Sequence, residues 1–172
     1  MASRIFTVGH STRAINGLVQ LLIGHNVSIL ADVRSFPRSP KNPQFNSETF
    51  GPELAKSGIR YALSPKLGGR RKGSGTESKN TCWKNKSFRN YADYMETSSF
   101  REGIEEILQL SREGTVAIMC AEALYWRCHR SMIADFLKAK GFEVTHILDE
   151  THTRQHEYTQ CAKIGGSELS YH

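Results

Sequence analysis

The segment IMCAEALYWRCHRSMIADFL, residues 118–137, places several reactive side chains on one strand-to-helix turn. Its apolar start predicts a buried strand, and its later apolar spacing predicts an amphipathic helix. Between the two elements lie Cys120, Glu122, Cys128, His129 and Arg130. Thiol, carboxyl, imidazole and guanidinium groups are the groups that nucleophilic, acid–base and anion-binding sites use. The turn is therefore the first candidate for a functional site.

Glu122 and the aromatic residues after it predict one kind of site. Glu122 directly follows the buried strand, where burial raises the pKa of a carboxyl group toward that of a general acid. Tyr125 and Trp126 would offer aromatic surface beside it. Arg130 opens the helix, where free backbone N–H groups and a guanidinium group together favour an anion such as phosphate. A solvated loop glutamate without a catalytic role stays open as the alternative.

The cysteines of the turn predict another kind of site. Cys128 begins the helix beside Arg127 and His129, and cations at a helix N-terminus lower the pKa of a thiol. Cys120 ends the strand and fits a core position equally well. Cysteine-based phosphatases and rhodaneses share the order of cysteine, arginine and helix. However, six residues separate Cys120 from Arg127, and several of them are too bulky for a tight phosphate cradle.

Polar residues also lie at the ends of other predicted strands. His10 and Ser11 follow a first strand, and Asp32 and Arg34 end a second. An ionised aspartate in an apolar run needs a partner, and Arg34 points to the same side of an extended chain, so a purely structural ion pair stays open. Ligands of open parallel sheets bind outside the carboxyl ends of the strands. These residues and the turn are therefore expected to meet at one edge of the sheet.

Apolar runs and helical spacing alternate along the chain. Strands are predicted at residues 4–9, 27–33, 59–64, 115–120 and 142–148, and helices at 15–26, 46–58, 87–97, 99–114 and 129–141. This alternation predicts a single α/β domain over residues 1–150, with a largely parallel central sheet and helices on both faces. The first two strands are expected to form a parallel pair. Residues 65–80 predict a basic loop rich in glycine and serine, and residues 151–172 a polar tail.

The composition limits the setting of the protein. The 172 residues include 38% hydrophobic residues and four cysteines, and the net charge is +6. No apolar run is long enough to span a bilayer and no signal peptide is evident, so a cytoplasmic location without membrane contact is expected. Without a CxxC pair, reduced thiols are expected at Cys82 and Cys161, and no zinc site. No cofactor is predicted, while a divalent metal stays open on the possible ligands His10, Asp32, Glu122 and His129.

Five segments match a known family in order along the chain. They are TVGHS, ADVRSFPRSPKNPQF, LGGRRK, FRNYADYM and MCAEALYWRCHRSMIAD, which extend over most of the sequence. Together they make the chain resemble domain-of-unknown-function family 488. The resemblance implies a compact Rossmann-like α/β domain in a bacterial or archaeal cytosol, and it implies no settled activity. The signature residues that it marks here are His10, Ser11, Asp32, Arg34, Pro37, Glu122, Cys128, His129 and Arg130.

The residue types favour an enzyme that acts on a nucleotide or nucleic acid. The net positive charge, the basic Arg70–Arg71 pair and the mixed basic and aromatic segment around Tyr91 suit phosphates and bases together. The sharpest form of this hypothesis is hydrolysis of an N-glycosidic bond, with phosphodiester hydrolysis as a near variant. A cysteine-dependent sulfur or phosphoryl transferase and a non-catalytic nucleic-acid-binding module are the alternatives.

The predicted site has two groups of residues. The predicted catalytic residues are Glu122, Asp32, His10 and Cys128. The predicted substrate- or anion-binding residues are Ser11, Arg34, Arg130, His129, Arg70, Arg71, Tyr125, Trp126 and Tyr91. The oligomeric state is not predicted.

Overall fold

The computed structural model describes residues 3–172, which form eight strands, five α-helices and three short 3-10 helices. The strands are Arg4–Gly9 (β1), Ile29–Asp32 (β2), Arg60–Leu63 (β3), Val116–Cys120 (β4), Glu143–Ile147 (β5), Thr153–Gln155 (β6), Lys163–Gly165 (β7) and Glu168–Ser170 (β8). The helices are Ile15–Gly24 (α1), Ser47–Lys56 (α2), Lys86–Tyr94 (α3), Ser98–Glu113 (α4) and Arg130–Ala139 (α5). Among these residues, no helix has both the length and the apolar character needed to cross a membrane.

Six of the strands form one sheet in the order β3, β2, β4, β1, β5, β6. Strands β1 to β5 are parallel, and β6 runs antiparallel to β5. The predicted Rossmann-like α/β domain with a largely parallel sheet is therefore confirmed. The predicted pairing of β1 with β2 is wrong, because β4 lies between them. A helical crossover fixes the parallel direction of two strands but does not require them to be neighbours, so a strand from later in the chain can lie between them.

The sheet separates two hydrophobic cores. Successive residues of a strand face opposite sides, so Ile29 and Ala31 of β2 pack into one core and Leu30 into the other. Helices α1 and α2 cover the Leu30 side, and α3, α4 and α5 cover the opposite side. The predicted placement of helices on both faces of the sheet is confirmed.

The C-terminal segment packs onto this domain. Strand β6 extends the sheet, and β7 and β8 form a hairpin. Cys161, just before the hairpin, forms a disulfide with Cys82, 79 residues earlier. The prediction of reduced thiols at these two positions is wrong, because the segment folds back and brings their Cα atoms to 5.7 Å. Disulfides are rare in cytosolic proteins, so the cytoplasmic location is left as a prediction.

We expect this disulfide to stabilise the fold by about 2–4 kcal/mol, because it closes a long loop in the unfolded chain. Urea denaturation of the wild type with and without reductant measures the difference. The Cys82→Ser variant cannot form the disulfide, so it should unfold at the urea concentration of the reduced wild type whether or not reductant is present. Equal midpoints for oxidised and fully reduced wild type would contradict the expectation.

Candidate functional site

The carboxyl ends of β1, β2 and β4 lie side by side in the sheet. Gly9 pairs with Cys120, and Asp32 pairs with Met119. The residues after these strand ends consequently meet at one edge, where a pocket of about 550 Å³ opens. The segments after β2, β3 and β4 line it together with α3.

Asp32 and Arg34 form a buried ion pair at this edge. Arg34 Nε and Nη2 donate to Asp32 Oδ1 and Oδ2 at 2.9 and 2.7 Å. The Tyr61 hydroxyl donates to Oδ2 as well, and Arg34 Nη2 donates to the Phe45 carbonyl at 2.7 Å. Burial and the neighbouring Asp32 charge raise the pKa of Tyr61, so the phenol stays protonated. Because protein donors surround its carboxylate, Asp32 positions Arg34, which lines the pocket, and is not placed as a general base.

His10 and Ser11 lie in the turn after β1, and their backbone N–H groups bind the end of β4. The buried His10 ring stacks on Phe45, with 4.4 Å between ring centroids. His10 Nδ1 lies 2.8 Å from the Ser11 carbonyl, which only accepts, so Nε2 is left as the acceptor 3.4 Å from Arg34 Nη1. Burial lowers the pKa of His10, which favours this neutral form. Ser11 has a φ of 48° and donates its backbone N–H to Ala121 at 3.0 Å.

Two free thiols lie at the inner end of the pocket. Cys120 Sγ and Cys128 Sγ are 2.8 Å apart, longer than a disulfide at about 2.05 Å, so one thiol donates to the other. Burial raises the pKa of Cys120, which keeps its proton. The hydrogen bond from Cys120, followed by the charge of Arg130, lowers the pKa of Cys128 to about 7. Cys128 is therefore the thiol of the pair that ionises more readily.

His129 lies next to this thiol pair. Its Nε2 is 3.1 Å from the Val33 carbonyl and its Nδ1 is 3.3 Å from Cys128 Sγ. A carbonyl only accepts, so Nε2 carries the proton and the Nδ1 lone pair faces the thiol. Burial lowers the pKa of His129 and favours this neutral form. Cys128, His129 and the Val33 carbonyl thus form a series of nucleophile, base and orienting group connected by hydrogen bonds.

Arg130 lies behind the pocket. Its Nη2 donates to the Glu122 and Ala123 carbonyls at 2.7 and 3.3 Å, and its Nη1 donates to Thr7 Oγ1 at 3.1 Å. The Nε–H group has no hydrogen-bond partner within residues 3–172. Arg130 is 1% exposed. It therefore shapes the turn and supplies positive charge to Cys128, and a ligand in the pocket does not meet it directly.

Cations and aromatic rings form the outer part of the pocket. Arg70 and Arg127 are exposed there, and neither forms an ion pair with any residue in the range 3–172. The Arg70 guanidinium lies 5.4 Å from the ring centroid of Phe36, and Phe88 lines another part of the pocket. Glu122 is exposed on the same lining, and its Oε1 accepts the Leu124 N–H at 3.3 Å.

Four predicted binding residues have other surroundings than expected. Arg71 donates to the Pro65 and Gly68 carbonyls and lies over the Tyr94 ring, outside the pocket lining. Tyr125 stacks on His146 at 3.6 Å, and the half-exposed Trp126 packs against Tyr125. Tyr91 lines the pocket as a fully buried ring. The aromatic surface near Glu122 thus comes from Phe36 and Phe88.

The pocket-lining residues that the sequence analysis did not select include Cys120, Arg127, Phe36 and Phe88. Cys120 carried a signal, because it ends a predicted strand at the same edge as Asp32. Phe36 follows the Asp32–Arg34 strand end and Arg127 precedes Cys128, so both carried the same positional signal. Phe88 had only the mixed basic and aromatic segment to indicate it.

The four possible metal ligands do not converge on one point. Asp32 is paired with Arg34, and Glu122 is exposed on the pocket lining. Within residues 3–172, no three histidine, cysteine, aspartate or glutamate side chains are grouped so that they would hold a metal ion.

We expect the alkylation rate of Cys128 by iodoacetamide to increase about tenfold per pH unit below pH 7 and to level off above it. A pKa of about 7 makes Cys128 half thiolate at that pH, whereas an unperturbed thiol ionises near 8.5. Mass-mapped labelling between pH 5 and 9 measures this. Cys120→Ala, which removes the hydrogen-bond donor, should move the plateau to higher pH. A wild-type rate that keeps increasing through pH 8.5 would contradict the assignment.

The fold and the site define a class of protein, single α/β domains with a thiol-containing pocket at the carboxyl ends of parallel strands. The family model described as "Domain of unknown function DUF488" matches residues 14–137, well over half of the chain. The protein therefore belongs to the DUF488 family, as its sequence motifs indicated. Comparison with curated proteins and with solved structures gave no match.

Proposed function

We propose that this protein is a cysteine-dependent sulfur transferase in which Cys128 attacks the sulfur atom of a small anionic donor. One observation carries the proposal. Cys128 Sγ lies 2.8 Å from the Cys120 thiol and 3.3 Å from the His129 imidazole, on the lining of an open pocket. A thiol donor, a base and a nearby arginine are the partners that make a cysteine nucleophilic near neutral pH.

The chemistry needs only a thiolate and an acceptor for the transferred sulfur atom. With thiosulfate as the donor, the Cys128 thiolate attacks the outer sulfur, the S–S bond breaks, and sulfite leaves with its electron pair. The product on the enzyme is a Cys128 persulfide. An acceptor thiolate then attacks the outer sulfur of the persulfide and restores the Cys128 thiolate. His129, which its lowered pKa keeps neutral, presents its Nδ1 lone pair to the Cys128 thiol, and the proton leaves to solvent when Cys128 ionises.

The turn itself argues for sulfur transfer over phosphoryl transfer. A phosphate cradle needs several backbone N–H groups that are free to point at the ligand. Here Leu124 N–H donates to the Glu122 carboxylate, Arg127 N–H to the Leu124 carbonyl, and Cys128 N–H to the Tyr125 carbonyl. These donors are occupied within the turn.

The anionic charge of the donor follows from the outer pocket. Arg70 and Arg127 both line it, and neither is neutralised by a carboxylate within residues 3–172. A sulfonate or another small anion would neutralise them. A cytoplasmic location stays part of the prediction: a reducing compartment would keep Cys120 and Cys128 as thiols, whereas the Cys82–Cys161 disulfide is of a kind that is rare there.

Incubation of the purified protein with thiosulfate tests the proposal. We expect sulfite release, one added sulfur atom on the peptide that contains Cys128, and thiocyanate after cyanide is supplied as the acceptor. Omission of cyanide should limit sulfite to about one equivalent per chain. If persulfide and anionic thiosulfonate donors also left Cys128 unmodified, the proposal would be abandoned.

The second candidate is hydrolysis of an N-glycosidic bond in a nucleotide or nucleic acid. The observation that favours it is that Glu122 shares the pocket lining with Phe36, Phe88 and Arg70. Aromatic rings stack on bases, a carboxyl group acts at the glycosidic bond, and arginine binds phosphate.

Nucleosides, nucleotides and modified oligonucleotides test this second candidate. It predicts released base that is lost in Glu122→Gln and kept in Cys128→Ser, whereas nicked strands would indicate the phosphodiester variant. Salt-dependent binding without turnover, lost in Arg70→Ala, would indicate a nucleic-acid-binding module. The absence of both products and binding would remove this candidate.

A further inference from the structure

A buried chain of hydrogen bonds connects Arg130 to the C-terminal segment. Arg130 Nη1 lies 3.1 Å from Thr7 Oγ1, which lies 2.6 Å from His146 Nδ1. His146 Nε2 lies 2.9 Å from His156 Nδ1, and His156 Nε2 lies 2.8 Å from Asp135 Oδ1. All five side chains are buried. Hydrogen bonds in a protein interior strengthen one another, so such a chain restricts the geometry of its members, although the Arg130 Nε–H group itself has no partner within residues 3–172.

The direction of each hydrogen bond follows from the end at Asp135. Its carboxylate accepts from His156 Nε2–H, from the Thr159 hydroxyl at 2.5 Å and from the Tyr171 hydroxyl at 2.8 Å. In the neutral form of His156, Nδ1 accepts from His146 Nε2–H, and His146 Nδ1 accepts from the Thr7 hydroxyl. Thr7 Oγ1 is thus left to accept from Arg130.

His146 is fixed in its neutral form. Burial, with the nearby His156 and Arg130, lowers the pKa of His146 to about 2. It also stacks on Tyr125 of the turn at 3.6 Å with an interplanar angle of 4°. When both histidines are neutral, the Thr7 hydroxyl has its proton on the histidine side and a lone pair toward Arg130.

Arg130 connects this chain to the thiols. Its positive charge helps to lower the pKa of Cys128, whereas burial outweighs the same charge at Cys120 and leaves that pKa raised. The titratable groups that face it are Cys120 from β4, Cys128 and His129 before α5, and His146 from β5.

We propose that Thr7, His146 and His156 are positioning residues that hold Arg130 beside Cys128 and thereby keep the Cys128 thiol reactive. His156 belongs to the C-terminal segment, so this segment takes part in the site without touching the pocket. The inference rests on the proposed role of Cys128 as the nucleophile, but its readout is the ionisation of one thiol and does not require turnover.

A matched pair of variants tests the chain. His156→Asn keeps an acceptor near the position of Nδ1, whereas His156→Leu removes it, and both lose the contact with Asp135. We expect His156→Leu to raise the Cys128 pKa by about one unit, close to a tenfold loss of thiolate at pH 6. His156→Asn should stay closer to the wild type. The pH profile of iodoacetamide labelling, mapped to Cys128, measures both.

A second pair of variants, at Thr7, tests the same chain if His156→Leu does not fold. Thr7→Val removes the hydroxyl at nearly constant shape and should raise the Cys128 pKa, whereas Thr7→Ser keeps the hydroxyl and should preserve it. Equal shifts within each pair, or no shift in any variant with a native circular dichroism spectrum, would overturn the inference. A wild-type protein without sulfur transfer but with these shifts would refute the proposed function and leave the positioning chain standing.

Discussion

Replacing Cys128 with serine is expected to lower the rate of persulfide formation from thiosulfate by about 10³-fold or more. The oxygen of serine stays protonated near neutral pH, and neither the Cys120 thiol nor Arg130 lowers its pKa enough to change that. The variant changes one atom in a packed site, so the fold should survive. Sulfite release and the mass of the peptide that contains Cys128 measure the loss.

Two matched substitutions separate this effect from a general disturbance. Cys120→Ser keeps a hydrogen-bond donor 2.8 Å from the nucleophile and should retain most of the sulfite release. Glu122→Gln should retain nearly all of it, because Glu122 is exposed on the pocket lining. A Cys128→Ser protein that still releases sulfite at the wild-type rate, or a Glu122→Gln protein that does not, would point to carboxylate chemistry.

Replacing Arg34 with methionine is expected to lower the free energy of unfolding by about 3–5 kcal/mol. Asp32 and Arg34 are 0% and 6% exposed, so loss of the guanidinium group leaves a buried carboxylate without its counter-charge. Tyr61 still donates to that carboxylate, but one hydroxyl does not replace a two-point ionic contact. Urea denaturation followed by circular dichroism measures the change.

Arg38 supplies the matched control for this prediction. It pairs with Glu48, and both side chains are 67% exposed. Arg38→Met should therefore change stability by less than about 1 kcal/mol. The double variant Asp32→Asn with Arg34→Met removes both charges and should be more stable than Arg34→Met alone. A single Arg34→Met variant no less stable than Arg38→Met would show that the buried pair contributes little.

The periodicity of the sequence predicted the elements well because each period is a local property. The buried runs around Leu30 and Ile118 became β2 and β4, and the amphipathic segment after Cys128 became α5. The strand-end rule brought Asp32 and Cys120 to one edge, since parallel strands have their carboxyl ends on the same side. The family could be recognised because its motifs occur in order along the sequence and need no tertiary structure to be identified.

Partner choice along the sheet was beyond local periodicity. Strand β4 lies between β1 and β2 in the sheet. Strand order depends on which helices pack on each face, and those contacts are long-range in the sequence. The Cys82–Cys161 disulfide and the burial of His156 arose in the same way. Both features involve the C-terminal segment, which is polar and has no hydrophobic period. Which of its residues become buried therefore depends on the part of the domain against which the segment packs.

The sequence by itself determined the α/β fold, the family and the edge of the sheet where the chemistry lies. Only the tertiary structure decided which polar residues are reactive and which are structural. Asp32 forms a buried ion pair with Arg34. Cys128 lies beside Cys120 and His129, and Cys120 together with Arg130 lowers its pKa. The physical reason is that a pKa depends on burial and on charges within a few ångströms, and residues distant in the chain supply both.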